Sequence, residues 1–498
     1  MISFWLSCRL GMVDDWLWGD KMADMSVWSR IVREYDIRGV VGEDLTPQVA
    51  YYLGLGYAAY MERQNFDRGR IAVGHDGRIS SPSLALALSC GLADGGLSPL
   101  LLGMVPTPIV YYATHVLDVI GGVAVTGSHN PPEYNGFKVC AGTQTLWGES
   151  LKEIGKAAAS AMTKRSIPGS KALKDRSFER VDVMDRYIQD VLSRVDAKSV
   201  HLARPKIIID GGNGVAGPVA EKVLDGLGCD VKGLYIEPDG NFPNHHPDPT
   251  IEETLKDLKR EVTSSGADFG IAFDGDGDRI GAVDESGNVV WGDKLLVVYA
   301  RQILKEHPGA TIIGDVKCSS VSFRAIEAAG GEAVMWKAGH SLVKAKLRET
   351  GALMAAEMSG HVFFADRYWG FDDATYAAAR LVEVYSKAKL DDPRAKFSDL
   401  LADLPRTFAT PEVRIPWPDE EKFSAVERLA QKIKAWPDVN EVITIDGVRA
   451  HLRDGWVLVR ASNTQPALVL RCESCVSQTH LEELKERLQA LLAELQPA

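Results

Sequence analysis

Residues 126–138 read Thr126-Gly127-Ser128-His129-Asn130-Pro131-Pro132-Glu133-Tyr134-Asn135-Gly136-Phe137-Lys138. The apolar run Val123-Ala124-Val125 comes directly before them and predicts a buried strand that ends at this loop. Gly127 permits a tight backbone and the two prolines cannot continue a helix or a strand, so Ser128 is expected on a rigid turn. A serine between a glycine and a histidine, with Lys138 ten residues later, suits a nucleophile or a phosphate carrier. A rigid turn whose polar residues cap one another is the alternative, and a Ser-His pair alone favours that alternative.

The complete thirteen-residue string resembles the phosphoserine loop of the α-D-phosphohexomutases, the family of phosphomannomutase and phosphoglucomutase. This resemblance implies that Ser128 carries the phosphoryl group and that His129 and Lys138 assist the transfer. Earlier in the chain, residues 34–39 read Glu34-Tyr35-Asp36-Ile37-Arg38-Gly39. They are similar to the opening motif of the same family, which implies that Tyr35 faces the active site and that Arg38 helps to neutralise the phosphoserine.

The composition is that of a globular protein: 498 residues, 45% of them hydrophobic and 25% charged. A net charge of −12 argues against a general nucleic-acid binder, whose binding face is basic, but it leaves phosphorylated substrates open. No apolar run approaches the length of a membrane span. The seven cysteines are odd in number and scattered, which suits a reducing compartment, and the lone pair Cys472-x-x-Cys475 is interpreted as incidental. We therefore expect a cytoplasmic protein with no nucleic-acid or membrane partner.

Apolar strands that end in charged or glycine-rich turns recur along the chain, with helical spacing between them. This alternation predicts α/β domains whose chemistry lies at the strand ends. The last segment, with two strands and an amphipathic helix near residues 480–494, predicts an α+β domain. Combined with the resemblance, the pattern implies three related α/β mixed-sheet domains plus a C-terminal α+β domain around a central cleft. The expected parts are an N-terminal extension (1–27), a phosphoserine-loop domain (28–178), a metal-loop domain (179–288), a sugar-recognition domain (289–404) and a C-terminal phosphate-binding domain (405–498).

Three aspartates alternate with glycines after the apolar segment Ala267–Phe273, in the string Asp274-Gly275-Asp276-Gly277-Asp278-Arg279. Carboxylates at alternate positions of a glycine-rich loop can converge on one hard cation. The spacing to Glu285 imitates a calcium-binding loop, but Arg279 stands where that loop needs glycine and a strand precedes it, so we reject the calcium loop. The string matches the metal loop of the phosphohexomutases. The match implies that Asp274, Asp276 and Asp278 bind one Mg²⁺ together with the phosphoserine at Ser128, and that Arg279 orients the substrate.

Residues 356–361 read Ala356-Glu357-Met358-Ser359-Gly360-His361. Polar groups at alternate positions predict an extended loop that presents one polar side to vicinal sugar hydroxyls. The loop resembles the sugar-recognition loop of the family, which implies that Glu357 and Ser359 hold the 3- and 4-hydroxyls and that His361 assists proton transfer.

Further substrate contacts are implied by two shorter matches. Lys317, which follows the strand-like run at 311–316, points into the cleft by the family match. In the string Trp336-Lys337-Ala338-Gly339-His340-Ser341, only Gly339 and His340 are carried over as binding residues. Ala338 stands where many relatives have threonine, so a hydroxyl contact expected there is missing.

The C-terminal segment contains a candidate anion site, Arg460-Ala461-Ser462-Asn463-Thr464-Gln465-Pro466. An arginine followed by hydroxyls, an amide and backbone N–H groups can bind an anion, although an ordinary hairpin loop is the alternative. The resemblance to the family's phosphate-binding loop implies that Arg460, Ser462, Asn463 and Thr464 grip the substrate phosphate that is not being transferred.

The mechanism implied by the resemblance has a bisphosphate intermediate. Phosphoserine 128 gives its phosphoryl group to a bound hexose monophosphate, the hexose 1,6-bisphosphate reorients, and the other phosphoryl group returns to Ser128. The expected partners are mannose 1- and 6-phosphate and glucose 1- and 6-phosphate, hexose 1,6-bisphosphate is expected to act also as activator, and a monomer is expected.

Three other functions are weighed against this one. A phosphoglucosamine mutase is disfavoured by Met358, since relatives that act on glucosamine phosphate commonly have glutamine there. A sugar-phosphate phosphatase would release the phosphoryl group to water, which the candidate sugar and anion loops argue against. A non-catalytic sensor would be expected to lack Ser128 or one of the aspartates, and all are present. The residues do not separate mannose from glucose.

Overall fold

The computed structural model describes residues 25–463 and 466–495. They form two compact units. One runs to Val289 and includes Phe371–Leu390, and the other comprises Val290–Gly370 and the chain from Asp391 onwards. The expected N-terminal extension lies outside the described residues as far as residue 24. Among the described helices, none combines the length and the apolar character needed to cross a bilayer.

The first sheet contains seven strands in the order β1-β5-β4-β2-β3-β7, with β6 paired to β5. The strands are β1 (Ile37–Val40), β2 (Arg70–His75), β3 (Ser98–Met104), β4 (Gly121–Val125), β5 (Tyr134–Ala141), β6 (Gln144–Thr145) and β7 (Glu179–Arg180). Strands β2, β3, β4 and β7 pair in parallel, whereas β1, β5 and β6 pair antiparallel, so the sheet is mixed. Because β2, β3 and β4 are parallel, the turns at their carboxyl ends lie along one edge of the sheet.

Six helices accompany this sheet: α1 (Val27–Ile31), α2 (Pro47–Arg63), α3 (Ser81–Asp94), α4 (Thr107–Val116), α5 (Glu149–Lys164) and α6 (Ser170–Lys174). Helix α2 begins with a side-chain cap: the Thr46 hydroxyl accepts the Val49 N–H at 3.3 Å, and Pro47 occupies the first turn. Val49, Leu53 and Tyr57 share one face of the helix and are buried. Most of the helix surface is buried as well, because α2 packs between α3 and α5.

The second sheet has the order β12-β11-β10-β8-β9. Its strands are β8 (Lys206–Asp210), β9 (Asp230–Leu234), β10 (Phe269–Phe273), β11 (Ile280–Asp284) and the short β12 (Val289–Val290). The accompanying helices are α7 (Met184–Ser193), α8 (Ala197–Ala203), α9 (Gly217–Gly226), a 3₁₀ turn (Glu252–Leu255) and α10 (Lys256–Ser265). Strand β10 is central, parallel to β8 and antiparallel to β11, and every residue of β10 is buried. The turn from β10 to β11 therefore projects residues 274–279 from a fixed strand.

The third sheet has four strands in the order β14-β13-β15-β16. The elements in chain order are α11 (Gly292–Glu306), β13 (Thr311–Asp315), α12 (Ser320–Ala328), β14 (Glu332–Trp336), α13 (His340–Thr350), β15 (Met354–Ala356) and β16 (Val362–Phe364). Strands β14, β13 and β15 are parallel and β16 is antiparallel to β15.

Helix α14 (Ala374–Asp391) follows this sheet in sequence but lies mainly in the first unit. Tyr187 donates a hydrogen bond to Asp373 at 2.9 Å, just before the helix, and the Tyr385 hydroxyl donates to Asp268 Oδ1 at 2.7 Å. The sequence assigns this helix to the sugar-recognition domain, which it follows in the chain. In the structure the helix packs with the first unit, because its buried face contacts residues there.

The C-terminal segment forms a six-stranded sheet in the order β17-β22-β21-β20-β19, with β18 paired to β22. Its elements are β17 (Phe408–Ala409), β18 (Val413–Pro416), α15 (Lys422–Lys434), β19 (Val439–Ile443), β20 (Val448–Leu452), β21 (Gly455–Ala461), β22 (Ala467–Ser474) and α16 (Gln478–Ala493), preceded by a 3₁₀ turn at Phe397–Leu401. All pairings in this sheet are antiparallel, so the C-terminal segment is an α+β domain. Together with the three α/β domains built on mixed sheets, it confirms the predicted fold class.

Candidate active site

Ser128 lies in the turn that joins β4 to β5, at the carboxyl edge of the parallel strands. Its φ of 48° falls in the left-handed region, which is uncommon for a residue with a side chain. Asp76, which follows β2, holds the turn: its Oδ2 accepts the Thr126 hydroxyl at 2.9 Å and the Gly127 N–H at 3.0 Å. The Ser128 N–H donates to the Thr126 hydroxyl at 2.8 Å. These bonds hold a backbone conformation that would be unfavourable in isolation.

The Ser128 side chain points toward the loop after β10. Its Oγ donates to Asp274 Oδ2 at 2.9 Å and lies 3.1 Å from His129 Nδ1. Burial, followed by the neighbouring cations, first among them Arg279, lowers the pKa of His129 well below its usual value near 6.5. His129 is therefore neutral at pH 7, and its Nδ1 can accept the proton of the serine hydroxyl.

The three aspartates predicted as metal ligands are fully buried and lie together. One carboxylate oxygen from each of Asp274, Asp276 and Asp278 lies within 4.8 Å of the others. The N–H groups of Gly277, Asp278 and Arg279 donate to Asp274 Oδ1 at 3.0, 3.1 and 3.2 Å, so the turn folds around this oxygen. Burial, followed by repulsion from Asp278 and Asp276, raises the pKa of Asp274 well above its usual value.

Lys138, on β5, supplies a positive charge to this acidic cluster. Its Nζ donates to Asp276 Oδ2 at 2.8 Å and to Asp278 Oδ2. Although burial favours the neutral amine, these two carboxylates raise the pKa of Lys138 above its usual value, so the side chain is an ammonium. Thr107, at the start of α4, donates its hydroxyl to Asp276 Oδ2 at 2.5 Å. Despite burial, Lys138 and these hydrogen bonds lower the pKa of Asp276 below its usual value.

The donor set of this loop fits Mg²⁺. Hard divalent cations prefer carboxylate oxygens, and three converge here. The Oδ1 of Asp276 is buried and has no hydrogen-bond partner among the described residues, so a bound cation would satisfy an acceptor that is otherwise left unpaired. Because Ser128 Oγ already contacts Asp274, an oxygen of a phosphorylated Ser128 would lie beside the same cluster.

Two predicted cations lie beside the serine loop and the metal loop, and a third predicted residue, Tyr35, precedes β1. Arg38, on β1, donates to Asn130 Oδ1 at 2.8 Å and to Asp36 Oδ2 at 2.5 Å, so it reaches the serine loop through Asn130. Arg279 Nε lies 4.0 Å from Asp274 Oδ2. Tyr35, just before β1, is buried. The first unit thus brings Ser128, His129, Lys138, Arg38, Arg279 and the three aspartates into one neighbourhood.

The second unit contains the predicted sugar loop, which joins β15 to β16. The Glu357 N–H donates to the His361 carbonyl at 2.9 Å, so the loop is a closed hairpin turn, and the extended conformation predicted from the sequence is wrong. Pairing of β15 with β16 closes it, which alternation of polar residues could not reveal. Helix α11 packs against this turn: a Cβ at Gly292 would come 2.9 Å from the Met358 carbonyl. Ser359 is partly exposed near its tip.

Glu357 organises the predicted residues around this turn. Its Oε1 accepts the Gly339 N–H at 2.5 Å, at the start of α13. Burial raises the pKa of Glu357, while the neighbouring His361 opposes that rise. The rings of His340 and His361 stack with their centroids 5.5 Å apart. Gly339, His340, Glu357 and His361 therefore form one group, in which the three side chains are buried.

Lys317, which follows β13, lies in a second charged cluster of this unit. Its Nζ is 3.3 Å from Glu412 Oε2 and 3.5 Å from Asp315 Oδ2. Although burial favours the neutral amine, these carboxylates raise the pKa of Lys317. Conversely, Lys317 and Arg414 outweigh burial and lower the pKa of Glu412 to about 2.

Arg460 lies at the end of β21, where the candidate anion loop begins. Its Nε donates to Asp446 Oδ2 at 2.9 Å, and the same oxygen accepts the Ala338 N–H at 3.1 Å. Asp446 thus joins Arg460 to Ala338. The Ser462 N–H donates to the Ala467 carbonyl at 2.9 Å and closes a β21–β22 hairpin, whose second strand the sequence did not predict. Asn463 is partly buried, and Thr464 lies outside the described residues.

Several residues that position the site were not predicted from the sequence. They are Asp76, Thr107, Glu412 and Asp446. Asp76 could have been found, since it follows a predicted strand whose carboxyl end shares an edge with the serine loop. Glu412 and Asp446 lie about 95 and 108 residues from the groups they contact, Lys317 and Ala338, and no local pattern connects them.

Comparison with known proteins agrees with this geometry. Four domain families match in order: phosphoglucomutase/phosphomannomutase alpha/beta/alpha domains I, II and III at residues 29–165, 185–287 and 291–408, and the C-terminal domain at 412–491. A phosphomannomutase/phosphoglucomutase of Pseudomonas aeruginosa is 45% identical over 458 residues, covering 91% of this chain and 94% of the other. A phosphoglucomutase of Neisseria gonorrhoeae is 43% identical, covering 94% and 97%.

Among solved structures, a phosphoglucomutase/phosphomannomutase family protein of Burkholderia thailandensis is 38% identical, with a TM-score of 0.83 over 96% of this chain and 99% of the other. A Thermus thermophilus structure described as a putative phosphomannomutase shares the fold at 23% identity, with a TM-score of 0.77 over 93% and 99% of the two chains. The matched domains account for nearly the whole of the described chain, and the family expected from the serine loop is confirmed. This chain belongs to the phosphoglucomutase/phosphomannomutase family.

Proposed function

We propose that this chain interconverts the 1-phosphates and 6-phosphates of mannose and glucose through a phosphoserine at Ser128 and a hexose 1,6-bisphosphate intermediate. Family membership makes the chain an isomerase of the phosphohexomutase class. One observation carries the rest of the proposal. The Oγ of Ser128 lies 2.9 Å from Asp274, in a cluster of three buried aspartates with Lys138.

The proposed reaction is phosphoryl transfer in two directions. In the first half, a substrate hydroxyl loses its proton and attacks the phosphorus of phosphoserine 128, the serine P–O bond breaks, the Ser128 oxygen takes up a proton, and the bisphosphate forms. In the second half, the Ser128 hydroxyl loses its proton and attacks the other phosphoryl group of the reoriented bisphosphate, the P–O bond to the sugar oxygen breaks, and that oxygen takes up a proton as the hexose monophosphate is released. When bound, Mg²⁺ offsets negative charge on the phosphoryl oxygens.

Within the first unit, each side chain has a distinct task in this proposal. His129 Nδ1, at 3.1 Å from Ser128 Oγ and neutral at pH 7, takes the hydroxyl proton in the second half-reaction. Lys138 donates to both Asp276 and Asp278 and holds these two proposed ligands in place. Arg38 and Arg279 add positive charge beside the transferring group, and Tyr35 is proposed to face the substrate.

In the second unit, we assign substrate recognition to two groups. Glu357 and Ser359 hold the vicinal sugar hydroxyls, with Gly339 and His340 beside them, and His361 assists proton transfer. Lys317 and Arg460 bind the phosphate that is not transferred, together with the loop of Ser462, Asn463 and Thr464. Glu412 beside Lys317 and Asp446 beside Arg460 hold the two cations in position.

The sugar preference is part of the proposal. Relatives at 41–45% identity are named phosphomannomutase/phosphoglucomutase or phosphoglucomutase, and Met358 agrees with that choice. The N-acetylglucosamine-phosphate mutase structures that share the fold are only 13–15% identical and carry no argument for their substrate.

We also propose that the chain acts as a cytoplasmic monomer divided at the domain boundaries expected from the sequence. The six described cysteines are free and five of them are buried, in keeping with a reducing compartment. The chromatographic mass of the purified protein tests the monomer.

Phosphorus NMR on the purified protein tests the reaction itself. Mannose 1-phosphate, glucose 1-phosphate and glucosamine 1-phosphate are supplied separately with Mg²⁺ and a trace of glucose 1,6-bisphosphate. Growth of the 6-phosphate signal from the first two supports the proposal. Conversion of glucosamine phosphate alone would indicate a phosphoglucosamine mutase, and release of free phosphate alone would indicate a phosphatase.

A further inference from the structure

Arg78 is a buried arginine that no predicted role accounts for. It follows β2, two residues after Asp76, and its side chain is 1% exposed. Its guanidinium donates to four main-chain carbonyls of the serine loop: Ser128 at 2.8 Å, Asn130 at 2.5 Å, Pro131 at 2.6 Å and Tyr134 at 2.9 Å. The ion pair with Asp76, at 3.3 Å, fixes the same guanidinium from the other side.

These contacts determine how the serine loop is shaped. A short loop rich in proline has few backbone N–H groups with which to satisfy its own carbonyls, and an unpaired buried carbonyl is costly. Arg78 supplies the donors from outside the loop. Because the carbonyl and the N–H of one peptide point in opposite directions, the bond to the Ser128 carbonyl turns the His129 N–H away from Arg78. The guanidinium therefore sets the orientation of the peptide that follows the serine.

Gly127 provides independent evidence that this contact shapes the loop. A Cβ at residue 127 would come within 2.5 Å of Arg78 Cζ, so only glycine leaves room for the guanidinium against the turn. Phe242 covers the guanidinium, with its ring centroid 5.2 Å from Arg78 Cζ. Gly127 and Arg78 therefore depend on each other, because the glycine leaves the space that the guanidinium occupies.

We infer that Arg78 is a positioning residue for phosphoryl transfer, which holds the serine loop so that Ser128 Oγ faces the aspartate cluster. This inference rests on the proposed function. Arg78 contacts the carrier loop through main-chain carbonyls, and sugar-phosphate binding is proposed for other residues, Lys317 and Arg460 among them. Its loss should therefore reduce kcat and leave the affinity for sugar phosphate almost unchanged.

The first variant is Arg78→Lys, which retains the charge but cannot reach four carbonyls with one ammonium. We expect kcat, and the rate at which glucose 1,6-bisphosphate phosphorylates Ser128, to fall about 100-fold, with KM changed less than about 3-fold. Hydrogen exchange should increase in peptides covering residues 126–138 and stay unchanged elsewhere in the folded protein. Arg176→Lys is the matched control, since Arg176 pairs with Asp94 in the same domain away from the loop.

A second variant tests the same contact in case Arg78→Lys does not fold. Gly127→Ala places a Cβ within 2.5 Å of Arg78 Cζ and 2.8 Å of the Tyr134 carbonyl that the guanidinium binds, so it disturbs this contact while Arg78 remains and should lower kcat by a similar factor. If both act through one contact, the double variant will be far less impaired than the product of the two single effects. Wild-type kcat in folded Arg78→Lys, a rise in KM with unchanged kcat, or fully multiplicative effects would each overturn the inference. If the wild-type protein is not phosphorylated at Ser128, the proposed function fails, and hydrogen exchange still tests whether Arg78 holds the loop.

Discussion

The aspartate cluster makes a prediction about stability that is separate from turnover. We consider Asp274→Asn in the absence of Mg²⁺. An asparagine oxygen can accept the three N–H groups that Asp274 Oδ1 accepts now, and its amide can donate to the Ser128 hydroxyl. The substitution therefore removes a buried charge while the hydrogen bonds are kept.

The magnitude follows from the distances. Carboxylates within 4.8 Å repel each other by about 3.5 kcal/mol at an effective dielectric constant of about 20, and Asp274 has two such neighbours. Attraction between Asp274 and Arg279, which are 4.0 Å apart, offsets about 4 kcal/mol of this repulsion, and attraction to Lys138 offsets part of the rest. A net gain of about 1–3 kcal/mol is expected on removing the charge, or an increase in melting temperature of about 2–6 °C at pH 7.5 with chelator.

The pH dependence has a definite sign. The pKa of Asp274 is raised on folding, so its contribution to stability is fully present below its usual pKa near 3.8 and is lost as the pH rises through the raised folded value. The difference in free energy of unfolding between the variant and the wild-type protein should therefore shrink as the pH falls from the raised folded pKa toward 3.8, because a protonated acid and an amide are both uncharged.

Addition of Mg²⁺ should reverse the order of stability. Binding to the folded state alone stabilises wild-type protein by about 2.7 kcal/mol at a hundredfold excess over Kd, and the variant should gain much less. Differential scanning fluorimetry with chelator and with Mg²⁺ measures both effects. Asp284→Asn is the control, because Asp284 accepts N–H groups in a turn of the same sheet, and its effect should not depend on Mg²⁺. A variant less stable than wild type in chelator, or an equal gain from Mg²⁺ in both proteins, would refute the electrostatic account of this site.

Three further outcomes are expected. Ser128→Ala should fold normally and lose at least about 10³-fold in kcat, and wild-type activity would exclude the carrier role. Arg460→Ala should raise KM for glucose 1-phosphate at least about 10-fold, because a charge-assisted contact made both before and after transfer is lost. A loss of kcat with unchanged KM would contradict phosphate binding by Arg460. Glu412→Gln should lower stability at pH 7, and the difference should vanish as the pH falls from about 4.5 to about 2, because Lys317 and Arg414 lower the pKa of Glu412 to about 2 in the folded protein. Acid denaturation followed by circular dichroism measures the stability of the two proteins. A stability difference that stays constant across this pH range would show that the ion pair is not responsible.

The two strings proposed to carry the chemistry share one physical property: each follows the carboxyl end of an apolar strand. Strand β4 delivers Ser128 and β10 delivers Asp274, and in both cases the strand is visible as an apolar run and the chemistry as the residues that follow it. The conformation of the sugar loop could not be predicted in this way. Its residues are recognisable, but its closed hairpin depends on pairing between β15 and β16, which the alternation of polar residues does not encode.

Arg78 shows why residues that position a site are harder to predict than residues that perform chemistry. In sequence it is a charged residue after a strand, indistinguishable from one exposed to solvent. Its role arises only when parallel pairing of β2 with β4 places the ends of the two strands side by side, 50 residues apart in the chain. The absence of a Cβ at Gly127 then has a specific cause, since the guanidinium occupies that space. A glycine next to a catalytic serine is usually explained by backbone freedom. In this turn the serine has the positive φ, and the glycine is required because the guanidinium that holds the loop and the Tyr134 carbonyl that it binds leave no room for a Cβ.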